Sequence, residues 1–219
     1  MTLLAALLAL TLVAGVVDAV SFLGLGHVFT ANMTGNVVFL GFSAVGEAGF
    51  SVPASGVALG GFLVGALLGG RFGVAMDGRP RRLWLGGALA AEALLVGAAA
   101  AVAAAGPGGE GRRWTTTAVL ALAMGVRVAT VRRLAVPDMM TVILTRTLTG
   151  IAADSRAAGG TGPFLGRRVG SVLAMALGAA AGAWLVTHHG PVWPLALAAG
   201  GVALLAAGAL LSGVRRSRR

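Results

Sequence analysis

The residues able to do chemistry in this chain are few, and most sit inside apolar surroundings. The first group is Gly15-Val16-Val17-Asp18-Ala19-Val20-Ser21-Phe22 followed by Val28-Phe29-Thr30-Ala31-Asn32-Met33-Thr34-Gly35-Asn36. Asp18 falls late in an apolar segment, where a carboxylate is costly unless it faces a partner or water. Asn32, Thr34 and Asn36 supply hydrogen-bond donors and acceptors without formal charge, and Gly35 permits a close backbone approach. Asn32 or Thr34 can cap a short helix continuing through Val37-Val38-Phe39-Leu40. The positive end of that helix would then point at whatever occupies a neighbouring cavity. The competing role for the same groups is hydrogen bonding to adjacent helices.

The second group is Gly125-Val126-Arg127, then Thr141, Thr145, Arg146, Thr147 and Thr149. Arg127 lies two residues after Gly125, and Asp18 three after Gly15, so the two charges hold near-equivalent places. As a pair across the centre they would form a gate, an anion-binding element or a structural bridge. The bridge is favoured because buried partners offset each other's desolvation. Arg146 is either an anion ligand or a side chain snorkelling to the surface. Glu92, midway along an apolar run, is protonated, paired with Arg127 or Arg146, or open to a water path. His188-His189 precedes Pro191 with no carboxylate nearby, a weak metal signal. No metal or cofactor is expected, nor catalytic residues. There is no clustered nucleophile and base, and no P-loop, dinucleotide-binding glycine motif or zinc-protease helix. No loop is long enough for a nucleotide-binding domain.

The elements that must position these residues follow from composition. Of 219 residues, 57% are hydrophobic and 11% charged, against roughly 25% charged in soluble domains, and the mean hydropathy is +0.90. A water-soluble enzyme, a disordered chain and a secreted disulfide scaffold are all excluded. The formal charge of +10 comes from 17 basic residues, all Arg. They cluster between apolar runs, as in positive-inside loops, rather than as a patch on a soluble nucleic-acid-binding domain. Cys is absent. The expected partners are the lipid bilayer and a small-molecule solute, not nucleic acid, and a homo-oligomer is compatible with the sequence. Leu3 to Val17 has no basic start and reads as a first span rather than a signal peptide.

A span needs about 20 mostly apolar residues. Six runs qualify, at 3–24, 52–74, 83–105, 114–131, 165–187 and 191–213, and two shorter interrupted runs lie at 28–46 and 139–153. The order long, short, long, long occurs twice, the second time about 110 residues after the first, which points to an internal duplication. Gly15 matches Gly125, Met33-Thr34-Gly35-Asn36 matches Leu144-Thr145-Arg146-Thr147, Gly60 matches Gly170 and Trp84 matches Trp193. Segments 1–105 and 114–213 are the two repeats, with a basic tail at 214–219.

If all eight runs cross with the N-terminus inside, nine loop and tail arginines lie inside and six outside, a weak bias. If the short runs return to the side they entered, Arg71, Arg79, Arg81, Arg82, Arg132, Arg133, Arg156, Arg167, Arg168 and the four tail arginines lie inside. Only Arg112 and Arg113 then lie outside, as the positive-inside rule requires. Three full spans per repeat invert the second repeat relative to the first, and two re-entrant half-helices could meet near the midplane.

The stretch from Gly15 to Phe22, with Phe29-Thr30-Ala31-Asn32-Met33-Thr34-Gly35-Asn36, resembles the signature of the YoaK-like family, domain of unknown function 1275. The resemblance extends over nearly the whole chain, and Asn-Met-Thr-Gly-Asn is its most specific part. The family's second signature is a Gly-x-Gln-Asn-Ala helix followed by a Thr-Thr…Thr-Gly segment. Here Gly125 and Thr145 fit, whereas Arg127, Val128 and Arg146 replace Gln, Asn and Gly. The resemblance implies a membrane location and specifies no reaction.

The expectation is an all-α polytopic protein of the bacterial cytoplasmic membrane, with six transmembrane helices and two re-entrant half-helices in two inverted repeats; seven or eight spans are the alternative. Its expected function is that of a permease or channel for a small polar or anionic solute. Asn32, Thr34, Gly35, Asn36, Thr145, Arg146 and Thr147 are the expected binding residues, and Asp18, Glu92 and Arg127 the gate or coupling charges. The alternative is a non-transporting scaffold or regulatory subunit.

Overall fold

The computed structural model describes residues 3–106, 109–134, 144–162 and 164–211. Among them all regular structure is helical: α1 (Leu3–Gly24), α2 (Met33–Ala44), α3 (Val52–Ala75), α4 (Arg81–Ala104), α5 (Glu110–Leu134), α6 (Leu144–Ala153), α7 (Leu165–His189) and α8 (Val192–Leu211), with a single 3₁₀ turn at Arg156–Ala158. Six helices are long and apolar enough to cross a membrane: α1, α3, α4, α5, α7 and α8. Helix α2 has 12 residues, or about 18 Å at 1.5 Å per residue, and falls short of a hydrocarbon core of about 30 Å; α6 has 10 among the described residues.

Helix ends depart from the hydropathy runs where arginines lie. Helix α5 takes in Arg112 and Arg113 at its start and Arg132 and Arg133 at its end, and α4 takes in Arg81 and Arg82. Arg is a good helix former whose long side chain reaches polar surroundings, so the helix outlasts the apolar run. The segment 28–46 is helical only from Met33. Of the segment 139–153, Thr141 lies outside the described residues, as does the basic tail at 214–219.

Glycines set the closest helix pairs. Gly61, Gly65 and Gly69 of α3 lie on Ala118, Leu122 and Val126 of α5, while Gly178 and Gly182 of α7 lie on Leu12 and Val16 of α1. Position numbers rise together in both pairs, so each pair is parallel. A side chain at Gly69 would put Cβ 3.0 Å from the Val126 backbone, and one at Gly182 2.8 Å from that of Val16. Gly125 in turn faces Phe62 and Ala66, and Gly15 faces Met175 and Ala179. Gly15 and Gly125 thus make similar contacts, the first with α7 and the second with α3. The match of Gly60 with Gly170 fails. Gly60 faces open space, Gly170 faces Leu8, and the counterpart of Gly65 is Gly178. Trp84 and Trp193 also differ in setting, the first buried and the second exposed.

Other contacts orient the remaining helices. Gly24, closing α1, touches Pro191 at the start of α8, while Gly86, near the start of α4, touches Leu210 at the end of α8. Helices α1 and α4 therefore run the same way and α8 the other. Arg81 Nη2 donates to the Leu134 carbonyl at 3.3 Å, and Arg133 pairs with Asp77, which fixes the end of α5 beside the α3–α4 turn. One end of the bundle holds the starts of α1, α4 and α7 and the ends of α3, α5 and α8. Arg71, Arg79, Arg81, Arg82, Arg132, Arg133, Arg167 and Arg168 belong to that end, and Arg112 and Arg113 to the other. Helix α2 finishes at the arginine-poor end, just before α3, and α6 at the arginine-rich end, just before α7. Neither traverses the bundle.

Candidate functional site

The first turns of the two short helices border one cavity of about 540 Å³. From the α2 side come Asn32, Met33, Thr34 and Gly35, and from the α6 side Leu144 and Thr145. Phe62 of α3 and Met175 of α7 contribute equivalent wall positions from mid-helix, and Phe39 and Val128 add further apolar surface. The described wall is uncharged. Asn32 and Thr34 lie at the start of α2, where the first backbone N–H groups lack intrahelical acceptors, and Thr145 lies in the first described turn of α6. The cavity therefore offers donors and the positive end of the α2 dipole.

A strap, residues 25–32, sets α2 in place. It leaves α1 through Gly26 and His27, both with positive φ (103° and 56°), and returns along the helix start. Asn36 is fully buried and grips this strap. Its Oδ1 accepts from the Phe29 N–H at 2.9 Å, and its Nδ2 donates to the Phe29 carbonyl at 2.6 Å. Asn36 thus belongs to the packing beneath the cavity and is not part of its wall. Gly35 is required by the same strap, since a Cβ there would fall 2.7 Å from the Phe29 ring. Asp18 is buried as well, and its Oδ1 accepts from the Ala31 N–H at 3.0 Å.

Arg127 does not pair with Asp18. Its Nε donates to Glu92 Oε1 at 2.7 Å, Nη2 pairs with the same oxygen, and Nη1 donates to the Leu10 carbonyl at 2.9 Å. Relative to Gly15 and Gly125, the counterpart of Asp18 is Val128, one residue further on. One residue is a turn of about 100° around a helix. Val128 accordingly faces the cavity, and Arg127 is directed into the α1–α4–α5 core. Both members of the Arg127–Glu92 pair are almost fully buried.

The chain matches the family model described as "Protein of unknown function (DUF1275)" over residues 6–208. The chain belongs to the DUF1275 family. A curated relative, the UPF0700 transmembrane protein YoaK of Bacillus subtilis (strain 168), is 33% identical over 153 residues. The matched region is 66% of this chain and 64% of YoaK, so the chain spans less than two thirds of that relative's length. No solved structure matches. This DUF1275 protein is an integral membrane protein.

In the DUF1275 chain, the remaining expected site residues lie apart from the cavity. Arg146 is exposed on α6 and Thr147 is buried, and neither contributes to the cavity wall. The sequence reading missed Arg168, counted there among the loop arginines. It is buried, pairs with Asp154 Oδ2 at 2.7 Å and donates to the Gly150 carbonyl. A cation is thereby placed at the C-terminal end of α6, where the helix dipole favours it. Phe62, Val128 and Met175 were also missed, because nothing in an apolar run marks the residue that faces a void. Among the described residues no three His, Cys, Asp or Glu gather as a metal site. His188 instead stacks on Trp184 at 4.9 Å.

Proposed function

We propose that this DUF1275 protein is a permease or channel of the bacterial cytoplasmic membrane for a small polar or anionic solute, and not an enzyme. The observation that carries the reading is the shared cavity. Helix α2, too short to cross a bilayer, begins at a void that the first described turn of α6 also borders, and the two helices leave it toward opposite ends of the bundle. Irregular backbone at membrane depth is tolerated when it borders a cavity or is enclosed by protein, and half-helix starts facing a central site are a recurring way to hold a solute. We infer an inverted duplication, in which α5–α8 repeat α1–α4 upside down. The reversed directions of corresponding helices and the interchanged glycine contacts support it. The positive-inside rule turns the arginine-rich end to the cytoplasm. In this reading Asn32, Thr34 and Thr145 contact the solute. Asn36, Asp18, Glu92 and Arg127 hold the walls, and Arg146 and Thr147 flank them.

Osmotic swelling of proteoliposomes tests the proposal, with urea and glycerol as neutral probes and formate and acetate as anionic ones. At least one probe should enter faster than in protein-free vesicles. Thr34→Val combined with Thr145→Val should slow it by about tenfold, as expected from losing one or two hydrogen bonds to the solute. Leu94→Ala, on an exposed apolar face of α4, should leave it unchanged. A non-transporting scaffold is the second reading. It is favoured by the internal partners of Asp18, Asn36, Glu92 and Arg127, and it requires every probe to enter at the protein-free rate.

A further inference from the structure

Five of the eight phenylalanines fall between residues 22 and 50, and the fold brings their rings together. Phe50 lies in the loop before α3, at the arginine-poor end, and stacks on Phe39 with ring centroids 4.9 Å apart. Phe39 stacks in turn on Phe29 at 5.7 Å and leans on Phe22, near the end of α1, at 6.1 Å. Phe22 and Phe29 stack at 5.1 Å. Phe39 is also part of the cavity wall. An unbroken run of rings therefore connects the arginine-poor end of the bundle to the cavity. The second half has no equivalent, because no aromatic residue occurs between Trp114 and Phe164.

The polar residues of the strap serve this stack. Asn36 holds the Phe29 backbone through both its N–H and its carbonyl. Gly35 leaves room for the Phe29 ring, and Asp18 anchors the strap two residues further on, at Ala31. Phe29 is thus fixed, while Phe39 lies between it and the loop residue Phe50.

We propose that Phe39, backed by Phe22, Phe29 and Phe50, is the gate that closes the cavity toward the arginine-poor end. The proposal rests on the permease reading and adds where access is controlled. Close-packed rings exclude water, and an apolar constriction blocks polar solutes by remaining dry. Individual aromatic pairs are weak, so rotation of one side chain suffices to break the run. The gate is one-sided, because the α6 side has no rings to match it.

The chain has no cysteine, so Thr145→Cys places a single thiol on the cavity wall contributed by the other half. Its reaction with a membrane-impermeant thiol reagent, applied separately to each face of oriented vesicles, is compared with and without Phe39→Ala. Phe50→Ala, in the loop, is a second gate variant that does not alter a membrane helix, and monodisperse elution checks folding of each. Opening the gate should raise the labelling rate from the arginine-poor face by about tenfold or more and leave the rate from the opposite face unchanged. If the thiol reacts from the arginine-rich face but neither variant alters reaction from the arginine-poor face, the gate is overturned and the cavity stands. A thiol that reacts from neither face in any background overturns the cavity reading and the gate together.

Discussion

At the scale of single residues, the buried charges separate structural from functional roles. Arg127 and Glu92 are both almost fully buried and bonded to each other, and removing one partner of such a pair strands the other. Glu92→Ala or Arg127→Ala should each lower stability by about 3–5 kcal/mol, whereas the double change Glu92→Leu with Arg127→Met should cost less than either. Thermal unfolding in detergent measures both. Asp18 makes a sharper case. Asp18→Asn keeps an oxygen for the Ala31 N–H and should cost less than about 1 kcal/mol; Asp18→Ala leaves that donor unsatisfied and should cost about 1–3 kcal/mol. Solute entry that survives Asp18→Asn would remove Asp18 from any coupling role. The sequence marked all three charges as needing partners and offered Arg127 as one partner for Glu92, but it did not reveal the Ala31 N–H that meets Asp18. Pairing turned on the one-residue difference between Gly15–Asp18 and Gly125–Arg127, which rotates the arginine away from the cavity and toward α4.

At the scale of elements, the glycine faces divide into positions that matter and positions that do not. Gly65 and Gly178 sit against the backbones of Leu122 and Leu12, while Gly56 and Gly60 on the same α3 face nothing within 4 Å. Gly65→Val and Gly178→Val should reduce the monodisperse fraction on size-exclusion chromatography to a similar degree, and Gly60→Ala should leave it unchanged or improve it, since Ala favours helix over Gly. Glycines four residues apart, as at Gly61, Gly65 and Gly69, are a sequence signal for close helix packing. Which helix each would meet was not, because spacing carries no information about a partner remote in the chain. The alignment of the halves slipped at this point. Fifty residues separate Gly15 from Gly65 but 53 separate Gly125 from Gly178, so a fixed offset of 110 misplaces the third helix. The strap was equally hidden, because Val28 to Ala31 is apolar enough to read as helix, whereas its backbone is irregular and is held by bonds to Asn36 and Asp18.

At the scale of the molecule, the two short helices enter from opposite ends. Single cysteines at positions 48 and 110 should therefore react with an impermeant reagent from outside intact cells, and those at 78 and 158 only after permeabilisation. Reaction of 48 and 78 from the same side would remove the six-span arrangement. The long spans were legible because hydropathy reports burial in lipid directly. The gathering of arginines at one end of the bundle was legible because they are concentrated between particular spans. The cavity was only partly foreseen. Its polar rim, Asn32, Thr34, Gly35 and Thr145, stands out in an apolar chain, but its greasy walls, Phe39, Phe62, Val128 and Met175, do not.

The parallel pairing of α1 with α7 and of α3 with α5 bears on how the chain is made. The ribosome releases the end of α1, Gly24, 165 residues before the end of α7, His189, and until then the face carrying Gly15 has no mate. The nascent N-terminal portion must wait in the bilayer, incompletely packed, for the later portion to arrive. Two fragments divided between α4 and α5 should each be degraded when produced alone and protect one another when produced together, because neither portion contains the surfaces that would let it settle by itself.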